Sequence, residues 1–257
     1  MTSLPNTQPD HSSHVELDEM PIHKHLIILR KYLIRMVGVL LGLFLCLLPF
    51  ANQTYQLLSE PLRAQLPINS SMIATDVTAT FLAPFKLNLF VALMISMPFI
   101  LYQTWLYIKP ALHQHEKSLT FPLMAGSITL FYTGIAFAYF IVLPSILHFF
   151  ISVSPESVAP MTDINSYLSF CLKLFLVFGL TFEIPVVTLL LIITGIVPTE
   201  SLIKKRRFII VGCFFIAMFA TPPDAISMIM LAVPMWLLFE LGLVFGKIIE
   251  KRKQSKA

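Results

Sequence analysis

Charge is what this sequence most lacks: of 257 residues only 12% are Asp, Glu, Lys or Arg, against 56% hydrophobic. So few charges cannot solvate a globular surface, and a mean hydropathy of +0.80 argues against a soluble domain. Cysteine is scarce too. Cys46, Cys171 and Cys213 all fall in apolar runs, with no C-x-x-C and no histidine at metal-ligand spacing, so they read as small core hydrophobes. Missing altogether are a G-x-S-x-G elbow, H-E-x-x-H, a Walker-type loop and G-x-G-x-x-G. His113 and His115 stand at i, i+2, where helical side chains do not face each other. No catalytic, cofactor or metal site is expected, and no Ser or Cys pairs with a membrane-depth His as an intramembrane hydrolase would need. No repeat or pair of homologous halves is visible, which weakens an inverted-repeat transporter reading. The pI near 9.0 raises nucleic acid as a partner, but the bases are interleaved with apolar segments rather than gathered on one face. No nucleic-acid partner is expected.

What the chain has is apolar length. A spanning helix takes about 20 apolar residues, and six candidates follow in order: Tyr32–Ala51, Leu87–Ile108, Leu119–Leu143, Tyr167–Val197, Phe208–Ala220 and Ala225–Phe245. The fold class is therefore an all-α integral membrane protein with six transmembrane helices. The fifth segment covers only about 20 Å, so it borrows the Lys204–Arg207 turn or the bilayer thins around it. Fifteen of the 18 Lys and Arg fall before the first segment or in its opening turn, between the second and third, between the fourth and fifth, or after the sixth; the exceptions are Arg63, Lys86 and Lys173. By the positive-inside rule both termini are cytoplasmic. The first twenty residues are polar and acid-bearing, unlike a signal peptide. The expected division is a flexible tail over residues 1–22, a membrane domain over 23–246 and a basic tail over 247–257.

On the other side, the connections Asn52–Lys86 and Pro144–Ser166 are long and rich in proline, and are expected to pack as an outer cap, because long unstructured loops are uncommon. The third connection is Thr221-Pro222-Pro223-Asp224, in which Asp224 is placed to cap the sixth helix.

Ionisable residues inside such segments are the sharpest clues, because each costs several kcal/mol in hydrocarbon unless paired or hydrated. Glu183 lies near mid-membrane, and two readings stay open: a hydrogen-bonded carboxyl between packed helices, or a functional polar point in a hydrated concavity. Lys173 stands ten residues earlier, too far for a direct salt bridge on a straight helix. It is expected to snorkel, as Glu240 is near the end of the sixth helix unless it caps that end. Arg30 and Lys204–Arg207 read as topology signals. Tyr102, Trp105 and Tyr107 sit where an aromatic belt would lie, and Glu116 is the sole acid of the stretch that follows.

The segments His25-Leu26-Ile27-Ile28-Leu29-Arg30, Glu60-Pro61-Leu62, Met72-Ile73-Ala74-Thr75-Asp76-Val77, Trp105–Leu112, His115-Glu116, Ala136–Phe140, Tyr167–Phe170, Phe182-Glu183-Ile184-Pro185, Lys204–Arg206 and Thr221–Asp224 together resemble the TatC family, over roughly His23 to Gly246. That family is the multispanning receptor of the Sec-independent, twin-arginine protein translocase. The resemblance implies a cupped six-helix fold in the bacterial inner membrane, driven by the proton motive force. It also implies binding of twin-arginine signal peptides of folded cargo, with TatA-like and TatB-like single-span partners and homo-oligomerisation in the receptor complex. It assigns peptide binding to Glu116, Tyr107, Arg30 and Leu112, intramembrane or partner contacts to Glu183, Met218, Thr221, Asp224 and Met228, and the outer cap to Pro61, Met72 and Phe81. A carboxylate and an aromatic face suit two guanidinium groups. Two positions depart from the family: Ile28 stands where a second acid is usual, and Met228 where a polar residue contacts single-span partners. Glu116 is then expected to carry most of the arginine recognition, with Asp18 or Glu19 supplying a second charge. The alternative is a proton-coupled small-molecule secondary transporter using Glu183.

Overall fold

The structure is a computed structural model and describes residues 22–56, 72–73, 77–111, 120–153, 162–220 and 225–254. Nine α-helices carry the described chain: α1 Ile22–Leu47, α2 Val77–Ile108, α3 Thr120–Phe137, α4 Leu143–Val153, α5 Ile164–Thr181, α6 Ile184–Ile193, α7 Thr199–Lys204, α8 Arg206–Ala220 and α9 Ala225–Gln254. Five helical stretches are long and apolar enough to cross a membrane: Leu26–Gln56, Phe81–Ile108, Thr120–Phe150, Asn165–Ile193 and Ala225–Glu250. The remaining segment, the short fifth one, is α8, whose 15 residues rise about 22 Å, against about 30 Å of hydrocarbon.

Several segments differ from the sequence expectation, and proline explains two of the differences. The fourth apolar run is broken rather than continuous. Pro185 has no N–H to bond the Thr181 carbonyl, so α5 ends at Thr181 and α6 restarts at Ile184, with Glu183 in the gap. Pro144 likewise cannot bond back to Phe140, and the chain widens there into a π-helical turn over Ala138–Val142 before α4 continues to Val153. Pro144 and His148 thus belong to a helix and not to a loop. The second helix starts ten residues earlier than expected, at Val77, and the sixth runs on to Gln254.

Packing is uneven. α3 lies along α5, and α9 lies along both α6 and α8, while α1 rests almost entirely on α2. None of the apolar window of α1 is buried. Cys46, on α1, is exposed, so it is not the core residue expected; Cys171 and Cys213 are buried. The main core gathers Leu87, Ile146, Leu174, Phe178, Leu231 and Met235. Close helix approach needs small residues. A Cβ on Gly134 of α3 would fall 2.6 Å from the Phe178 carbonyl oxygen of α5, and one on Gly242 of α9 would fall 2.9 Å from the Pro185 Cα of α6.

The long connections meet in a two-residue parallel pairing, Met72 with Thr162 and Ile73 with Asp163. Asp163 then caps α5, its Oδ2 accepting from the Ser166 amide at 2.9 Å and the Ser166 hydroxyl at 2.7 Å. Gly195, at φ +69°, closes α6 in the left-handed region and turns the chain toward α7.

Candidate functional site

Two polar groupings interrupt the apolar interior. The first is built at the break between α5 and α6. Freed from a continuous helix, Glu183 faces α3, with the Ser127 hydroxyl near its carboxyl group. The same hydroxyl accepts from the indole Nε1–H of Trp105 on α2 at 3.3 Å. Polar side chains of α2, α3 and the α5–α6 break thus gather at one place. Trp105 is 4% exposed, so it is not the membrane-surface aromatic its position suggested. The other carboxylate oxygen of Glu183, Oε1, is buried with no partner among the described residues.

The second grouping ties the α7–α8 corner to α9. Arg206 Nη2 donates to Glu240 Oε2 at 2.8 Å, and the Thr199 hydroxyl donates to Glu250 Oε2 at 2.6 Å. Glu240, expected to snorkel or to cap its helix, and Arg206, expected as a topology signal, are thus also partners of each other. The signal was present in the chain: Arg206 and Glu240 lie at nearly equal distances either side of the Pro222-Pro223 turn, so antiparallel helices bring them level. Their side chains are 42% and 22% exposed, which places the pair between the surface and buried regimes. Replacing either with alanine is expected to cost about 1–2 kcal/mol, less than the roughly 3–5 kcal/mol of a fully buried pair. Thermal unfolding of both single variants and the double checks this. Losses that simply add would show that the two groups are not coupled.

The resemblance-derived residues fall in several places. Tyr107, at the end of α2, meets Tyr32 of α1 edge-on, with ring centroids 6.1 Å apart. Arg30 is exposed two residues before Tyr32, and Ile28 is exposed one turn before it. The start of α1 and the end of α2 thus share one surface. Glu116 and Leu112 themselves lie outside the described residues, as do Asp18, Glu19, Thr221, Asp224 and Pro61. Met218 is exposed on α8, whereas Met228 of α9 is half-buried against the main core. Met72 sits in the short strand pairing, and Phe81 is exposed beside Phe85, with centroids 5.1 Å apart. Among the described residues no group of His, Cys, Asp and Glu could hold a metal ion.

Long apolar helices, glycine-mediated crossings and a carboxylate held at membrane depth define a multispanning helical membrane protein. Its relatives narrow this. The profile described as Sec-independent protein translocase protein (TatC) matches residues 24–234. A protein of that name from Azotobacter chroococcum mcd 1 is 51% identical over 257 residues, covering 100% of this chain and 97% of its own length. Its counterpart from Escherichia coli (strain K12) is 49% identical over 230 residues, 90% of this chain and 89% of the relative. A crystal structure of the Twin Arginine Translocase Receptor TatC superposes with a TM-score of 0.78 at 35% identity, over 87% of this chain and 98% of that one. The chain belongs to the TatC family and is a membrane subunit of the Tat protein translocase. That membership displaces the small-molecule transporter alternative.

Proposed function

We propose that this chain is the core receptor subunit of a twin-arginine translocase in a bacterial inner membrane. It binds twin-arginine signal peptides of folded cargo at its cytoplasmic face and organises TatA-like and TatB-like single-span subunits for export driven by the proton motive force. Both termini are cytoplasmic in this reading, and receptor copies associate with one another. The observation that carries it is the superposition on a solved structure named a twin-arginine translocase receptor. Local geometry supports the reading: Tyr32 against Tyr107 brings the start of α1, with the Ile28 position, to the end of α2. Glu116 and Tyr107 supply the carboxylate and the aromatic face for the arginine pair, with Arg30 and Leu112 on the same rim. Met218, Thr221, Asp224 and Met228 form the partner contacts.

Crosslinking of a twin-arginine peptide tests the reading. Glu116→Ala should weaken capture about tenfold, the scale of one charged hydrogen bond. Ile28 is already exposed, so Ile28→Glu introduces an acid without burying it and should tighten binding by about 1 kcal/mol. Capture by Glu116→Ala equal to that of the parent would remove the assignment.

A further inference from the structure

On the face opposite the Lys204–Arg207 cluster, a cavity of about 380 Å³ opens between the first turns of α5 and the far end of α8, lined by Asn165, Ser166, Ser169, Lys173, Phe219 and Ala220 among others. Its size falls in the range of small-ligand sites. Asn165, Ser169 and Lys173 recur every four residues, so they form one stripe along α5. From α2, Lys86 Nζ donates to Asn165 Oδ1 at 3.0 Å and toward Ser169 Oγ at 3.5 Å. Those bonds turn one lone pair of each acceptor toward Lys86. The groups left to face the cavity are chiefly donors: the Asn165 amide N–H₂, the Ser169 O–H and the Lys173 ammonium, with the Lys86 ammonium held beside it on Asn165. Lys173 has no ion-pair partner among the described residues. Asp163, the nearby acid, has its Oδ2 committed to Ser166. A cationic site with an excess of donors suits an anion with several acceptor oxygens.

Depth identifies the source of that anion. Lys173 lies nine residues into α5, a rise of about 14 Å, too deep for an ordinary headgroup layer. Beside it, however, runs α8, about 8 Å too short for a normal hydrocarbon core. A bilayer that thins to match α8 draws its phosphate layer down toward Ala220, while the lysine stem lets the ammonium reach up to meet it. Along α8 from the cavity, Phe219, Ile216 and Phe215 are exposed at helical spacing, a strip suited to acyl chains.

We propose that this cavity binds the phosphate of one membrane phospholipid, with Lys173 as its direct charge partner, Lys86 adding charge from beside Asn165, and Asn165 and Ser169 as added donors. Native mass spectrometry of the full chain in detergent tests this. Phosphatidylglycerol, diacylglycerol (no phosphate) and glycerol phosphate (no chains) are offered to the parent and to Lys86→Gln, Lys173→Gln and Lys173→Arg. The expected result is one phosphatidylglycerol retained by the parent and by Lys173→Arg, with retention lowered about tenfold in each glutamine variant. Diacylglycerol should fail to compete, and glycerol phosphate should compete weakly. Lys86→Gln breaks contacts within the chain and could unfold it. Lys173→Gln breaks none that the structure shows, so it decides the matter. The proposal is overturned if Lys173→Gln unfolds at the parent's temperature yet keeps phosphatidylglycerol, even if it sheds a copurifying single-span protein instead. Equal competition by diacylglycerol would overturn it as well, and so would equal competition by glycerol phosphate, which would mark a site for free anions.

Discussion

Gly134→Val is expected to lower the stability of the protein by about 3 kcal/mol, at the upper end of what overpacking usually costs. The reason lies in which atom the new side chain meets. A Cβ at Gly134 would sit 2.6 Å from a backbone oxygen, that of Phe178, and 2.9 Å from the Phe182 ring carbon next to its Cβ. The backbone oxygen and the Phe182 Cβ, 3.0 Å away, cannot rotate aside, so α3 must separate from α5, and that crossing carries Phe131 and Phe178 in the core. Gly246 on α9 provides the control. A Cβ there would meet the Cδ1 tip of Ile192, the movable end of a flexible side chain. Gly246→Ala also recovers roughly 1 kcal/mol of helix propensity, so it should leave stability within about 1 kcal/mol of the parent. Thermal unfolding in one detergent compares the two variants. Similar losses in both would sink the argument that contact with backbone, rather than proximity as such, sets the cost.

Much of the fold could be read from the sequence because the membrane simplifies the problem: a run of about 20 apolar residues has few options other than a helix. The six segments, the short fifth one and the separation of Lys173 from Glu183 are all legible in that way. Helix ends were less so. Val77–Lys86 was assigned to a connection because Pro84 and Lys86 interrupt its apolarity, yet both are carried within α2, and Lys86 bonds Asn165. Pro185 announced a disturbance, but whether it would kink or sever the helix depended on what could accept Glu183 in the gap. The polar contacts were hardest, since Trp105 with Ser127 and Arg206 with Glu240 are long-range pairs. Each is nonetheless nearly symmetric about the connection between its two helices. Hairpin symmetry was thus an available signal, and reading each charge against its own helix alone missed it.

Glu183→Met is expected to raise the stability of the protein by about 1–2 kcal/mol and to abolish export. A buried acceptor without a partner costs about 1–3 kcal/mol, and Glu183 Oε1 is such an atom among the described residues. Methionine is unbranched and flexible enough to fill the gap at the helix break. The Ser127 hydroxyl that loses its carboxylate is not stranded, because a helical serine can donate to the carbonyl four residues earlier while still accepting from Trp105. Nothing else in the network is left unpaired, so the change removes a penalty without creating one. A position held by a residue worse for folding than an apolar one is what a working site looks like, since stability is routinely surrendered where function needs polarity. On the receptor reading, the carboxyl is then needed for transport itself. Two measurements separate the readings: thermal unfolding of the purified variant, and export of a folded twin-arginine substrate in cells carrying it. If Glu183→Met loses stability, the carboxyl is a structural tie between α3 and the α5–α6 break, and the export defect reports misfolding. Greater stability together with lost export leaves only a functional role for Glu183.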